Sequence, residues 1–173
     1  MEKLSQTARI FLFLTLLSLA LFLGSYLTRQ TVVYQLFEVN GIDLKTMFNG
    51  QNLPAVFSVM VPAIILNLLT YYVFLISFII FLITSGIKLK YEGWLFAILL
   101  IVALTAPFEI YLSTIDFQLI QQIISDPSQV EVILNLVKER VSDLSSFPLI
   151  MLISSAVIIF LTVFRPLRKT YEN

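Results

Sequence analysis

The chain has 173 residues, 58% of them hydrophobic and 13% charged, with eleven Lys and Arg against eleven Asp and Glu and a mean hydropathy of +0.93. A soluble domain carries nearer to ~25% charged residues, and a neutral chain has no bulk attraction for nucleic acid. With no Cys and no His, thiol chemistry, iron–sulfur and histidine-ligated haem sites, the usual zinc sites and a serine–histidine–aspartate triad are excluded within this chain.

Four apolar tracts organise what remains. Lys3 and Arg9 precede the first. The tract does not fit a cleavable leader: it is longer than a signal-peptide core and no A-x-A site follows it. We read it as an uncleaved anchor, span 1, over about 10–27, with Arg29 marking its far end. Thr15, Ser18 and Ser25 share one face of it with Phe22, and Ala20 with Gly24 adds a small-xxx-small pair. Such spacing marks helix–helix contact in lipid.

The segment 28–54 follows. Asn40-Gly41 between apolar residues signals a short β-hairpin, because both residues tolerate positive φ. It would pair Val39 with Ile42 and Phe37 with Leu44. The competing reading is a short helix over Leu44–Phe48 capped by Asp43.

From Pro54 to Ile87 there is no Asp, Glu, Lys or Arg. As one helix this tract would be ~51 Å long, too long for a ~30 Å hydrocarbon layer at ordinary tilts. Pro62 suits a first helical turn, so span 2 is placed at about 62–86. Asn67, Thr70, Ser77 and Thr84 share a face with Phe74 and Phe81. The most polar patch inside any span is Asn67, Thr70 and Tyr71. Span 3 is expected at about 94–112, with Tyr91 and Trp94 as interfacial anchors and a kink at Pro107. Glu109, near its outer end, is the ionisable residue of most interest, with Asn67 as a candidate partner. An acid inside a bilayer is costly and often functional.

The segment 113–147 reads as a helical hairpin. Phe117, Ile120, Ile123 and Ile124 form one apolar stripe. Asp126-Pro127-Ser128-Gln129 then has the pattern of a capped helix start. Val130, Ile133, Leu134, Val137, Val141 and Leu144 recur at helical spacing over about five turns. Val130, Leu134, Val137 and Val141 are the candidate partner surface. Span 4 runs at about 148–164 and stops at Arg165-Pro166.

Seven cations (Lys3, Arg9, Lys88, Lys90, Arg165, Arg168 and Lys169) fall on one side of this topology and four on the other, where eight of the eleven acids also lie. The positive-inside rule then puts both termini in the cytoplasm. The expected fold is an all-α membrane protein, one domain over 1–173, with four spans bundled, N-in and C-in, and outer loops at 28–54 and 113–147. We expect no catalytic, cofactor or metal site, and lipid plus other membrane subunits or further copies as partners. The expected role is an accessory or scaffold subunit in a bacterial inner membrane. The alternative is a small oligomeric transporter or channel using the polar face of span 2 and Glu109. A lipid enzyme would have to draw on Glu38, Glu109 and Asp116.

Overall fold

The computed structural model describes residues 4–38 and 41–167. Among these the chain forms five helices: α1 (Gln6–Tyr34), α2 (Leu53–Thr84), α3 (Gly93–Ser125), α4 (Val130–Ser142) and α5 (Phe147–Phe164). Four of them, α1, α2, α3 and α5, are long and apolar enough to cross a membrane. In lipid the backbone has no water to bond, so helices that satisfy their own N–H and C=O groups are the form such tracts take.

Three of the four spans are longer than the hydropathy pattern suggests, and two of the extensions have a visible local reason. α1 continues past Arg29, which is not a solvated end but is itself paired; within this stretch Thr28 and Thr31 donate their hydroxyls to the carbonyls of Gly24 and Leu27, each at 2.9 Å. α2 begins at Leu53 rather than near Pro62. A reciprocal pair precedes it: Asn49 N–H donates to Asn52 Oδ1 (2.8 Å), while the N–H groups of Gln51 and Asn52 donate to Asn49 Oδ1 at 3.0 and 3.2 Å. Donors at the helix start are thus satisfied, and Pro54 takes the first-turn place expected for Pro62. Pro62 is interior to α2 and Pro107 interior to α3; neither ends its helix. α2 closes at Gly86, whose φ of +65° suits a residue without Cβ.

The stretch between α1 and α2 holds no strand among the described residues. Phe37 and Leu44 form an isolated antiparallel bridge, with Glu38 N–H donating to Asp43 O (2.8 Å) and Lys45 N–H to Leu36 O (3.0 Å). Val39 and Asn40, which the hairpin reading also uses, lie outside the described residues, as do Lys3, Arg168 and Lys169. Leu44–Phe48 is not a helix: Leu44 is in the bridge and a turn follows at Thr46–Met47. Asn52 Nδ2 holds it by donating to Met47 O at 2.9 Å.

The start of α4 also departs from expectation. Asp126 does not cap it. Instead Asp126 closes a tight turn, accepting from Ser128 N–H (3.1 Å), Ser128 Oγ and Gln129 Nε2 (2.9 Å). The helix begins at Val130, beyond that turn, and ends at Ser142 after 13 residues. The apolar stripe before it belongs to α3, which runs unbroken to Ser125. Ile120 and Ile123 on that stripe are buried, whereas Phe117 and Ile124 are exposed.

The chain divides into two compact units. Unit 1 comprises Met1–Ala20, Tyr71–Glu109 and Ser146–Asn173; unit 2 comprises Leu21–Thr70 and Ile110–Ser145.

The interior of unit 1 is aromatic. Phe74, Phe78 and Phe81 from α2 are buried, as are Trp94, Leu95 and Ile98 from α3 and Met151 and Ile158 from α5. Phe74 and Phe78 stack with centroids 6.1 Å apart. Thr15 donates its hydroxyl to Phe11 O (2.7 Å) and lies 3.1 Å from Ser77 Oγ. Trp94, expected as an interfacial anchor, is only 3% exposed. Its Nε1 donates to Glu92 Oε2 at 2.6 Å, and the Arg165 guanidinium stands 5.3 Å from the ring centroid.

The interior of unit 2 is built around Leu36, Phe37, Leu53, Phe57, Met60 and Ile64, closed by Leu119, Ile120 and Ile123 from α3 and Ile133 and Val137 from α4. The apolar period of α4 puts Ile133 and Val137 on one face, and that face is the one buried.

Candidate functional site

Four helices of unit 2 each contribute a polar residue to one buried cluster. On α1 it is Arg29, four residues beyond Ser25 and therefore on the same helix face. On α2 it is Asn67, with Thr70 one turn on. α3 supplies Asp116 and α4 supplies Arg140. Exposure is 3% for Arg29, 1% for Asn67, 0% for Asp116 and 5% for Arg140.

Asp116 is the centre. Arg29 Nη2 pairs with its Oδ1, and Arg140 Nε donates to Oδ1 and Oδ2 at 3.2 and 3.3 Å. Arg29 Nη1 also donates to Asn67 Oδ1 at 3.4 Å, and Asn67 Nδ2 donates to Ser25 Oγ at 3.4 Å. Ser25 and Thr70 hydroxyls lie 3.4 Å apart, and Thr70 donates back to Leu66 O at 2.8 Å. The chain of contacts runs from α4 through α3 and α1 to α2.

The physics of this arrangement is that of a shared counter-ion. A guanidinium stays charged at any accessible pH, so burying two of them requires a compensating anion and full hydrogen bonding. One carboxylate with two acceptor oxygens contacts both, which leaves these three side chains with one positive charge in excess. The Asn67 amide, next in the line, occupies a guanidinium donor on one side and a hydroxyl on the other.

The residues singled out from sequence fall in different places. Asn67 and Thr70 belong to the unit 2 cluster. Tyr71 and Glu109 belong to unit 1, where both are buried. Glu109 is 1% exposed, so it does not reach outward from its helix as its position near the end of a span suggests. Val137 is buried, and Val130, Leu134 and Val141 pack partly buried against the unit 2 core. Of the four residues of that candidate partner surface, Val137 is thus buried in its own unit, while Val130, Leu134 and Val141 keep part of their surface exposed. Glu131, Val132, Asn135 and Glu139 face out instead.

Sequence alone does not bring Arg29, Asp116 and Arg140 together, yet each carries a signal. Arg29 extends the Thr15, Ser18, Phe22, Ser25 stripe by one more step of four. Asp116 shares a face with Leu112, Leu119, Ile120 and Ile123. Arg140 follows Ile133 and Val137 at the helical period. A charge in register with an apolar stripe is a buried charge, and a buried charge has a partner.

Elsewhere, unit 1 contains an apolar cleft lined by residues that include Leu12, Leu16, Phe78, Phe81, Leu95 and Ile158. Its walls supply dispersion contacts and little polar chemistry. Among the described residues, no three Asp or Glu converge on a point where a metal ion could be held.

No family model, characterised protein or solved structure matches the chain.

Proposed function

We propose that this chain is a non-catalytic integral membrane protein that serves as an accessory or scaffold subunit of a larger membrane assembly. The observation that carries this reading is the buried cluster of unit 2. Its ionisable side chains are engaged with one another: Asp116 with Arg29 and Arg140, and Arg29 further with Asn67. Groups so engaged hold helices in register and are not poised to move a proton or attack a substrate. Both termini are assigned to the cytoplasmic side of a bacterial inner membrane, with the segments 28–54 and 113–147 outside. The partners are lipid and either other membrane subunits or further copies of this chain.

Purification in mild detergent followed by mass analysis of the intact particle tests this. Other membrane chains should travel with the protein in fixed proportion. A lone homo-oligomer that conducts ions or solute in liposomes would replace the scaffold reading.

One observation favours that second reading, a small oligomeric transporter or channel. Glu109 is a fully buried carboxyl group in a membrane-length helix, and intramembrane acids recur along ion and proton paths. Proton-coupled uptake in vesicles, compared between the wild type and Glu109→Gln, decides it. Uptake that is present and lost in the variant supports transport, and unchanged uptake removes Glu109 from it.

A further inference from the structure

We propose that α4 is a strap that opens and recloses on unit 2 as a unit of its own, with the Arg140–Asp116 ion pair as its latch. The observations are confined to unit 2, and α4 would behave this way whether or not other chains bind the protein.

Few side chains of α4 are fully buried. Of its 13 residues, Ile133, Val137 and Arg140 are buried. Val130, Leu134, Leu136 and Val141 are partly buried against the core. At its far end Tyr111 donates a hydrogen bond to Asp143 Oδ2 (2.9 Å), in an exposed position open to competition from water. Elements with little fully buried surface are the ones that open below the global unfolding limit.

The links on either side are built to survive release. The turn before α4 satisfies itself: the Asp126 carboxylate takes the Ser128 and Gln129 donors, and Gln129 N–H donates to Asp126 O at 3.3 Å. A side-chain tie from that turn to α3, Gln122 Nε2 to Gln129 Oε1 at 3.2 Å, is exposed. After α4, Leu144 is held at φ +53°, a backbone region that a leucine enters only under constraint. Release of the helix would let that residue return to an ordinary conformation.

The decisive feature is the sharing of Asp116. Breaking a buried ion pair is costly when it strands a charge in a dry interior. When α4 leaves, Asp116 keeps Arg29 and is not stranded. Arg140 departs with the helix and is hydrated. A one-to-one pair of Arg140 with a private carboxylate would lack this property. The second arginine makes the latch separable from the lock beneath it.

Hydrogen–deuterium exchange on the full-length protein in nanodiscs tests the strap. Amides of 133–142 should exchange at least tenfold faster than amides of 116–123, although the two segments share one apolar core. Arg140→Gln should speed the 133–142 amides by a further fivefold or more and leave 116–123 unchanged. Asp116→Asn should deprotect both. Because the sequence has no cysteine, Val137→Cys supplies a unique thiol whose labelling by a water-soluble maleimide reads opening directly, and Arg140→Gln should speed it at least fivefold. A single common exchange rate for α3 and α4 in the wild type overturns the proposal, and that comparison stands even where a variant does not fold. Equal deprotection of both segments by Arg140→Gln overturns it as well.

Discussion

The two units solve the problem of interior polarity differently. In both units small hydroxyls return their donors to the same helix, as Thr15 does to Phe11 and Thr70 to Leu66, but in unit 1 the buried polar groups are mainly such hydroxyls and packing rests on phenylalanine rings. In unit 2 a full charge cluster is enclosed beside an apolar core that mixes aliphatic side chains with Phe37 and Phe57. A helix that lends a hydroxyl to its own backbone can be moved without leaving that donor unpaired. A helix that lends a guanidinium to a neighbour breaks that contact when it moves, and the charge must then be paired again or hydrated. Unit 2 is thus specified by a few strong contacts and unit 1 by many weak ones. Substitutions should separate the two.

The largest effect belongs to Asp116→Asn, which leaves two buried guanidinium groups without their shared anion. The loss should be roughly 3–5 kcal/mol, read as a fall in thermal midpoint in detergent; a loss below ~1 kcal/mol would mean that the carboxylate does not hold the helices together. In unit 1 Phe74→Ala should cost about 3 kcal/mol by opening a cavity among stacked rings, and xenon or benzene binding to the variant would report that cavity. Gly86→Ala places a Cβ on a residue at φ +65° and should cost about 1 kcal/mol. Its neighbourhood is open, so a larger loss would point to something other than backbone conformation. Thr15→Val removes one interhelical hydroxyl contact with Ser77 and should cost about 0.6 kcal/mol, the smallest of the substitutions. Measured against Asp116→Asn, it gives the contrast between the units as a ratio.

A pH effect sharpens the comparison at the turn before α4. Hydrogen bonds from Ser128 and Gln129 hold the Asp126 carboxyl below its ordinary pKa of 3.8. The folded turn therefore binds fewer protons than the unfolded chain near that value. Its contribution to stability is present above the ordinary pKa and is lost as pH falls through the folded one. Protection factors at 128–130, corrected for the intrinsic pH dependence of amide exchange, should fall on acidification below about pH 4, and Asp126→Asn should flatten that response.

Much of the fold is legible in sequence because lipid imposes one rule: a long uncharged tract is a helix. The four spans and an amphipathic α4 follow from that rule and from helical spacing. The boundaries of α1, α2 and α3 do not, because hydropathy stops at the first charge whereas a helix does not. Arg29 shows this most plainly. As a lone cation it marks an end, and paired with Asp116 it is an interior residue. The Asn49–Asn52 pair moves the start of α2 for a reason that depends on two side chains meeting in space. The candidate site is half legible: Asn67 and Thr70 stand out as polar residues in an apolar tract. Asp116 and Arg140 lie in more polar sequence, where their charge is plain and their place on an apolar stripe is not.

The one tryptophan in the chain is Trp94, enclosed in unit 1 between Glu92 and Arg165. Its fluorescence is therefore a private signal of that unit. Unit 2, with its ion cluster and its strap, is dark to this probe. An unfolding curve followed by emission and one followed by helicity will coincide if the molecule melts as one body. Where they part, the gap belongs to the unit that carries no indole.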